Sequence, residues 1–429
     1  MLNKKSILLF ITFLIALLLF GYILVYFRIY KPLNNGYSSF GSIPILNASK
    51  VSPGYTLIAP YNRFNQEGKN PGKIYLLDLW GNIVHEWRPT HQALYSKLKP
   101  GGNLIVLLEE PSQVQGIPGG GNLWRIQELD WDSNVLWEYK NNLLHHDVAL
   151  LENGNIIAPV WQKVPQEISQ NIQGGTPGTE INGVIYSDVL TEIDKDGKTV
   201  WEWKSYEHLD PQIDIIGPLM VRNSWSFING IEYLKENPID GKEGYLLSMR
   251  QINTVMVVRK SDGEIIWRSP KDMLNTQHDP TLLDSGNILV YDNGLFRIPA
   301  PQSIYASRVV EINPKTNQIV WQFDGGESAI DKTKMFSAIV GGAQRLPNGN
   351  TLITDGVRGH IFEVTPDKEV VWDLINPYET AMTGKFPNNF VFKTRRYGPG
   401  EINWPKKINP PLSNFQYSLY QGLSKIYPK

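Results

Sequence analysis

Two of the seven histidines stand in the same short sequence context. His146 begins the run His-Asp-Val-Ala-Leu-Leu-Glu-Asn-Gly-Asn, and His278 begins the run His-Asp-Pro-Thr-Leu-Leu-Asp-Ser-Gly-Asn. Each lies eight residues before a turn glycine, so equivalent strands are predicted to bring both to one end of the fold. A neutral imidazole is a competent nucleophile near neutral pH. The alternative is that each His-Asp pair only caps or packs its own strand.

Four further polar residues are candidates for the same site. Arg250 ends the apolar run LLSMR, where a buried guanidinium needs an anion, although a surface salt bridge is the alternative. Asn229, in SFINGI, either donates to an oxyanion or shapes a turn. Asn293 and Arg308 are interpreted mainly as loop structure, and lining of the site is the alternative.

Composition excludes several other kinds of chemistry. The chain has no cysteine, which rules out disulfides, thiolate catalysis and zinc–thiolate sites. A formal net charge of −1 gives the protein no overall positive potential that would attract nucleic acid. The glycine-rich run 116–121 lacks the Gly-Lys-Ser/Thr ending of a phosphate loop.

The elements that must position these residues repeat along the chain. An apolar run, a polar turn and an apolar–apolar–Trp run recur at 76–87, 129–139, 192–203, 258–269, 311–323 and 363–374. The first copy has His85 in the tryptophan position and Trp87 two residues later. Such regular tryptophans are interpreted as packing between repeated units. The corresponding tryptophans of the later copies are Trp137, Trp201, Trp267, Trp321 and Trp372.

A second hairpin signature, with a Gly-Asn turn, alternates with the first. It occurs at 99–107, 150–160, 282–292 and 345–355, with a longer-turn variant at 233–249. Two hairpins per repeat predict an all-β, six-bladed β-propeller with four strands per blade. The sixth copy is found at 52–61, so we expect this N-terminal strand to close the ring by pairing with the repeat at 361–374. Insertions at 108–121, 162–187 and 204–224 are expected at the ends of the ring.

An uncharged segment of 22 residues, Ser6–Phe27, precedes the repeats. As a helix it would rise about 33 Å, which spans a bilayer. A cleaved signal peptide is the alternative, but no Ala-x-Ala site follows. The predicted organisation is a cytoplasmic tail (1–5), a transmembrane anchor (6–27), a linker (28–50), the propeller (51–397) and a C-terminal extension (398–429). Flanking positive charges are nearly balanced, and the short tail favours an extracytoplasmic propeller.

Most of residues 70–397 resembles the arylsulfotransferase family, propeller enzymes that move sulfate between phenols. The resemblance rests on several short segments taken together. They read HHDVALLENGNI, FINGIEYL, LLSMRQINTVMVV, TQHDPTLLDSGNILVYDNG, SRVVEI, GGAQRLPNGNTLITDG, INPY and FKTRRYG.

The resemblance implies that sulfate passes from an aryl sulfate to His278 and then to a phenolic acceptor. It implies that His146, Asn229 and Arg250 hold the sulfuryl oxygens, with no nucleotide donor, metal or other cofactor. His145 and Phe227 are further candidates for lining the site. The family usually has His-Ile-Asn where this chain has Phe227-Ile228-Asn229. Phe227 cannot donate a hydrogen bond or carry charge.

Two other functions stay open at this point. Phe227 favours a non-catalytic propeller that binds aromatic or anionic ligands through the same pocket. The run Asp-Gly-Glu-Ile-Ile-Trp at 262–267 is similar to the tryptophan repeats of quinone-dependent dehydrogenases. That class generally has eight blades and a bound metal, and it would show cofactor absorbance.

Overall fold

The computed structural model describes residues 47, 49–61, 72–109, 116–297, 306–326, 334–377, 389–406 and 408. Six four-stranded antiparallel sheets form the blades of a propeller, which confirms the predicted fold class. We label the blades A to F in chain order. The predicted tail (1–5), the predicted anchor Ser6–Phe27 and all of the predicted linker (28–50) except residues 47, 49 and 50 lie outside the described residues. Within the described residues no helix has the length and apolarity needed to cross a membrane.

Each blade is a meander of four strands that runs from the centre of the ring outward. Blade A contains β1 (Tyr55–Ile58), β2 (Ile74–Leu77), β3 (Ile83–Trp87) and, innermost, β26 (Arg395–Tyr397). Blade B contains β4 (Ala93–Leu98), β5 (Leu104–Leu108), β6 (Arg125–Leu129) and β7 (Val135–Lys140). Blade C contains β8 (Ala149–Leu150), β9 (Ile156–Lys163), β11 (Tyr186–Ile193) and β12 (Thr199–Lys204).

The second half of the ring repeats this order. Blade D contains β14 (Ile228–Leu234), β15 (Gly244–Met249), β16 (Thr254–Arg259) and β17 (Ile265–Arg268). Blade E contains β18 (His278–Leu282), β19 (Ile288–Asp292), β20 (Arg308–Asn313) and β21 (Gln318–Phe323). Blade F contains β22 (Gly342–Arg345), β23 (Thr351–Asp355), β24 (His360–Val364) and β25 (Val370–Ile375).

The two insertions between β9 and β14 build a small separate layer. It contains the short helix α1 (Gln166–Ser169) and a parallel pair of strands, β10 (Gly174–Thr176) and β13 (Ile216–Val221). Single turns of 3-10 helix occur at Ser205–Glu207, Arg250–Ile252 and Gly356–Arg358.

The hairpin turns explain the Gly-Asn signature. Gly102, Gly154, Gly286 and Gly349 have φ angles of +86°, +87°, +80° and +87°, the left-handed region that a residue with a Cβ atom disfavours. The strands that follow these turns, such as β5 and β19, are buried along their whole length. They read as continuous apolar runs because they are covered on both faces by the neighbouring blades.

Blade A closes the ring with one strand from the C-terminal end. Thr56 of β1 lies opposite Leu77 of β2 on one side and opposite Arg396 of β26 on the other. The prediction that 52–61 pairs with 361–374 is therefore wrong. The N-terminal segment instead packs beside blade F, where Ile58 shares an apolar cluster with Trp372.

The closing strand is fixed by a buried ion pair. Arg396, which is fully buried, donates to the carboxylate of Glu363 in blade F and to the carbonyl oxygen of Ser52. Glu363 also accepts a hydrogen bond from the backbone N–H of Ser52 at 2.7 Å. The hydrogen bonds to Ser52 offset part of the cost of burying this charge pair, which joins both ends of the propeller chain.

Residues 398–406, at the start of the predicted C-terminal extension, pack on blades A and B. The ring of Trp404 makes edge contacts with Tyr55 and Trp131, at centroid distances of 5.6 and 5.8 Å. Ile402 belongs to the apolar cluster between the same two blades.

A ring of side-chain hydrogen bonds joins each blade to the next. In every blade an aromatic residue of the outermost strand reaches the outer turn of the following blade. The bonds run from His85 to Trp131 O, Trp137 to Lys195 O, Trp203 to Gly263 O, Trp267 to Asn317 Oδ1, Trp321 to Pro366 O and Trp372 to Leu79 O. His85 thus replaces tryptophan in function as well as in position, whereas in blade C Trp203 makes the bond and not Trp201.

We expect Trp372→Phe to lower the free energy of unfolding by about 1–3 kcal/mol, because it leaves the buried carbonyl of Leu79 without its donor. Trp321→Phe removes the same kind of bond at an exposed position, and should cost less than about 1 kcal/mol. Urea unfolding of the two variants makes the comparison. Equal losses would show that the bond itself does not stabilise the closure between blades F and A.

Candidate functional site

The two repeated histidines lie at the same end of the ring, in blades C and E. His278 begins β18, and His146 lies three residues before β8. Both are buried, and both imidazole centroids lie 6.4 Å from the ring of Phe392, which comes from the C-terminal segment. The sequence register therefore does bring these two side chains to one place.

Hydrogen bonds fix the tautomer of His278. Its Nδ1 lies 2.7 Å from Asn293 Oδ1 and 3.2 Å from the carbonyl oxygen of Thr276. The amide nitrogen of Asn293 donates to the carbonyls of Ser337 and Val340, so only its oxygen can face the histidine. Nδ1 of His278 therefore carries the proton, and Nε2 keeps its lone pair. No described residue hydrogen-bonds to that Nε2.

His278 is also held neutral. Burial lowers its pKa, the positive charge of Arg250 lowers it further, and the pKa falls to about 3 although Asn293 and Thr276 act in the opposite direction. An unprotonated Nε2 in a water-poor site is the form in which imidazole acts as a nucleophile.

Arg250 is a cation that lies beside the ring of Phe227. Its backbone N–H donates to the carbonyl of Phe227, and its guanidinium carbon lies 5.3 Å from the Phe227 ring centroid. Within the described residues its guanidinium makes no hydrogen bond and no ion pair. Burial lowers its pKa to about 10, so it stays charged at neutral pH. An unpaired guanidinium beside a neutral nucleophile is a binding position for an anion.

Asn229 and Phe227 complete the wall around these groups. Asn229 is buried and donates from Nδ2 to the carbonyl of Gln277 at 2.9 Å, while its Oδ1 has no partner in the described part of the chain. The Phe227 ring packs edge-on against His146 at 4.7 Å and against Trp161 at 5.3 Å. The position expected to hold a polar group thus forms an apolar, aromatic wall.

Four residues around the site have a left-handed backbone. His146, Phe227, Thr276 and Asp279 have φ angles of +57°, +57°, +53° and +52°. Each left-handed residue with a side chain costs on the order of 1–3 kcal/mol and persists only where its surroundings fix it. Residues of this kind are typical of sites where side-chain direction matters more than stability.

His145 lies behind His146 and is fully buried. Its ring stacks on Trp161 at a centroid distance of 3.9 Å. Its Nε2 lies 2.8 Å from Asp188 Oδ1, at ion-pair distance but without the alignment of a regular hydrogen bond. His145 is thus next to the site without facing the channel, and it connects His146 to a carboxylate.

Arg308 is not brought into this cluster. Its Nε donates to Asp292 at 2.8 Å, and its other nitrogens bond to Met273 O and Gln322 Oε1. Its guanidinium is thus occupied in supporting the turn after β19. Asn293, the other residue interpreted mainly as loop structure, contacts His278 directly.

Sequence reasoning missed the ion-pair network beneath the histidines. Lys393 Nζ bonds to Asp147 Oδ2 at 2.7 Å and to Asp279 Oδ1 at 2.9 Å. Arg395 forms a bidentate pair with Asp279, at 2.7 and 2.8 Å. The two aspartates are those that directly follow His146 and His278, so the repeated His-Asp pairs were a visible signal. Their cationic partners lie more than 100 residues away in FKTRRYG.

Each of these aspartates also joins its blade to the next. Asp147 accepts from the backbone N–H of Ile231 at 3.2 Å, and Asp279 from that of Ala343 at 3.1 Å. Burial alone would raise the pKa of both carboxyls, but Lys393 and its neighbouring cations lower the pKa of each below its usual value. Both therefore stay ionised at neutral pH.

On the far side of the network, a cavity of 590 Å³ is lined by Tyr95, Glu232, Thr281, Arg395 and neighbouring residues.

We expect Lys393→Met to lower the free energy of unfolding by about 3–5 kcal/mol at neutral pH, because it leaves two buried carboxylates without their shared cation. Without Lys393 the pKa of both carboxyls rises, so they take up protons earlier as the pH falls. Wild type, whose carboxyl pKa values are lowered, loses this stability only at lower pH. The difference should therefore shrink from pH 7 towards about 4.

Urea unfolding across this pH series makes the measurement. Lys406→Met is the control, because Lys406 forms an exposed pair with Asp132 that should contribute at most about 1 kcal/mol. A loss that is equal at every pH would show that Lys393 acts through packing and not through its charge.

Comparison with known proteins bears on what this site does. A family model described as arylsulfotransferase (ASST) matches residues 101–377, more than half of the chain. No curated protein matches the sequence.

Several solved structures are similar at low identity. A protein of unknown function from Bacteroides caccae is 14% identical, over 80% of this chain and 99% of its own, with a TM-score of 0.47. Streptogramin B lyase is 11% identical, over 85% and 100%, with a TM-score of 0.41. The Cps50 (Swd1) propeller domain of Myceliophteria thermophila is 12% identical, over 79% and 90%, with a TM-score of 0.42. Similarities at this level carry no argument about function.

Proposed function

We propose, from the premise that the chain belongs to the arylsulfotransferase family, that it moves a sulfuryl group from an aryl sulfate to a phenol through His278. The observation that carries the proposal is the pairing of a neutral His278, with Nε2 free, and the unpaired cation of Arg250. A nucleophile and an anion site are the two components that a transfer of this kind requires.

The first half of the reaction forms a bond between His278 Nε2 and sulfur. The bond from sulfur to the aryl oxygen breaks, and the phenolate leaves with the electron pair. In the second half, the acceptor phenol releases its proton to solvent, its oxygen bonds to sulfur, and the electron pair of the N–S bond returns to Nε2. Asn293 keeps the proton on Nδ1 throughout, so the ring carries a formal positive charge only while sulfurylated. Splitting one transfer into two is the usual advantage of covalent catalysis.

Arg250 and Asn229 are assigned to the sulfuryl oxygens. Sulfuryl transfer is comparable to phosphoryl transfer, in which positioning and charge stabilisation provide most of the rate enhancement. Among the described residues the guanidinium of Arg250 has no ionic partner, and Asn229 keeps one amide hydrogen beyond the bond to Gln277. The aromatic rings of Phe227 and Phe392 are suited to pack against the phenol ring.

We expect 4-nitrophenyl sulfate, supplied without an acceptor, to add one sulfuryl group to His278, which peptide mass spectrometry locates. His278→Asn should abolish both the label and turnover. His208→Asn is the control, because His208 stacks on Trp203 and lies on a different turn. Arg250→Met should slow labelling about 10²–10³-fold, as the loss of an oxyanion donor does.

A non-catalytic propeller that binds an aromatic or anionic ligand is the second candidate. Phe227 favours it, since an apolar ring stands where the family usually has a histidine. The labelling experiment separates the two: if no label forms on wild type, and His278→Asn binds phenols as wild type does, the binding function is correct and the transfer is not.

We also propose that the propeller is extracytoplasmic and is anchored through Ser6–Phe27, with the N-terminus in the cytoplasm. The proposal rests on the uncharged length of this segment. A reporter that is active only in the cytoplasm, fused after Lys429, should stay silent. A strong signal from that fusion would show the opposite orientation or a cytoplasmic protein.

A further inference from the structure

The side chain of Asn293 is held so that only its oxygen can face His278. It is fully buried, and its Oδ1 lies 2.7 Å from His278 Nδ1. Its Nδ2 donates to the carbonyl oxygens of Ser337 and Val340 at 2.6 and 2.9 Å. An ionised carboxylate in this place would turn an oxygen towards two carbonyl oxygens, with no hydrogen to donate to either. The surroundings of residue 293 therefore suit a neutral amide and disfavour a carboxylate.

The segment that supplies these carbonyls is itself fixed. The backbone N–H of Ser337 donates to Ser307 Oγ at 3.0 Å, and Ser337 Oγ accepts from the backbone N–H of Val357 at 3.0 Å. Ser307 Oγ in turn donates to the carbonyl oxygen of Asn293 at 3.0 Å. Because both serines are fully buried, the amide cannot turn over without breaking several buried hydrogen bonds.

Two carboxylates adjoin this pair in sequence, and both are bound to cations. Asp292, which directly precedes the amide residue, accepts from Arg297 at 2.6 Å and from Arg308 at 2.8 Å. Asp279, which directly follows His278, belongs to the ion-pair network beneath the histidines. Neither carboxylate hydrogen-bonds to the imidazole in the described structure. The partner at Nδ1 of His278 is thus uncharged although carboxylates are available on both sides.

An uncharged partner at Nδ1 affects how strongly Nε2 would hold sulfur. A sulfurylated imidazole with a proton on Nδ1 is a cation, and a carboxylate at Nδ1 would stabilise that cation relative to the neutral ring. The N–S bond would then break more slowly, because the imidazole would be a more basic and therefore poorer leaving group. Burial and the positive charges of Arg250 and Lys393 act in the opposite direction, since they lower the pKa of His278 to about 3.

We propose that Asn293 is a positioning residue that keeps sulfurylated His278 reactive, because it holds the proton on Nδ1 without adding a negative charge. The inference rests on the proposed sulfuryl transfer and concerns its second half. In that step the N–S bond breaks, its electron pair returns to Nε2, the acceptor oxygen bonds to sulfur, and the acceptor proton goes to solvent. The proton on Nδ1 stays in place throughout.

The test replaces the amide by a carboxyl group of almost the same shape, in Asn293→Asp. When protonated, the new carboxyl donates to Ser337 or Val340 as the amide does, and the variant should match wild type. When ionised, it should slow transfer from sulfurylated His278 to phenol about tenfold or more, because an opposite charge shifts the pKa of a neighbouring group by about 1–3 units. Labelling by 4-nitrophenyl sulfate should not slow in parallel, so sulfurylated protein should accumulate as the pH rises.

Intact-protein mass spectrometry during turnover, from about pH 5 to about pH 9, gives the sulfurylated fraction of variant and wild type. The ratio between the two proteins at each pH cancels the ionisation of phenol itself. Asn317→Asp is the control for the change of charge. Oδ1 of Asn317 also accepts from a ring N–H, that of Trp267 at 2.9 Å, but it lies on an outer turn. Its ratio to wild type should not change with pH.

The wild type gives a test that needs no variant. Protein that has been sulfurylated and freed of donor should be discharged by 4-nitrophenol, with formation of 4-nitrophenyl sulfate, since a weakly basic imidazole is a good leaving group. Retention of the label would overturn the inference.

Other outcomes contradict it in different ways. A sulfurylated fraction of Asn293→Asp that follows wild type at every pH would overturn the inference and leave the sulfuryl transfer intact. Equal losses in both halves of the reaction, independent of pH, would also overturn it, because Asn293 would then only maintain the fold. A wild type that is never labelled would overturn the transfer and this inference together.

Discussion

The ammonium group of Lys393 joins two blades that are not neighbours. It binds the aspartate of blade C and the aspartate of blade E, and the chain that carries it enters the ring only after the other blades are complete. Burying three charges is costly unless every one is paired, and here both carboxylates also accept backbone N–H groups. Because His146 and His278 directly precede these aspartates, the same lysine fixes the distance between the two catalytic candidates. The site therefore depends on the closure of the ring.

The blades were predictable because their pattern repeats, but the closure was not. The Gly-Asn turn recurs four times and the outer hairpin with its tryptophan or histidine six times, so each copy supports the others. The strand Arg395–Tyr397 occurs once, is three residues long and contains two arginines, which no apolar periodicity would identify. Its charges are buried only because Glu363 and Asp279 come to it from other blades. Lys393 could not be predicted as a partner of the His-Asp pairs either, because the aspartates that bind it also lie in other blades.

The site was predictable in part, for a related physical reason. The shared register of His146 and His278 is local and could be read directly from the sequence. The roles of Asn293 and His145 depend on groups that are distant in sequence. Asn293 faces His278 with its oxygen because Ser337 and Val340 take its two N–H groups, and His145 is oriented by Asp188. Arg308 is the opposite case. It lies near the site residues in sequence, but its guanidinium pairs with Asp292 and not with the site.

His278 thus has its Nδ1 occupied by Asn293, and no described residue bonds to its Nε2. The central claim is that sulfur bonds to Nε2 of His278 and to no other atom. A crystal structure of the protein, frozen after exposure to an aryl sulfate without acceptor, would locate that sulfur atom directly. The account predicts density for a sulfuryl group continuous with His278 Nε2, with its oxygens facing Arg250. Sulfur bonded to Nδ1, to His146 or to another residue would contradict it.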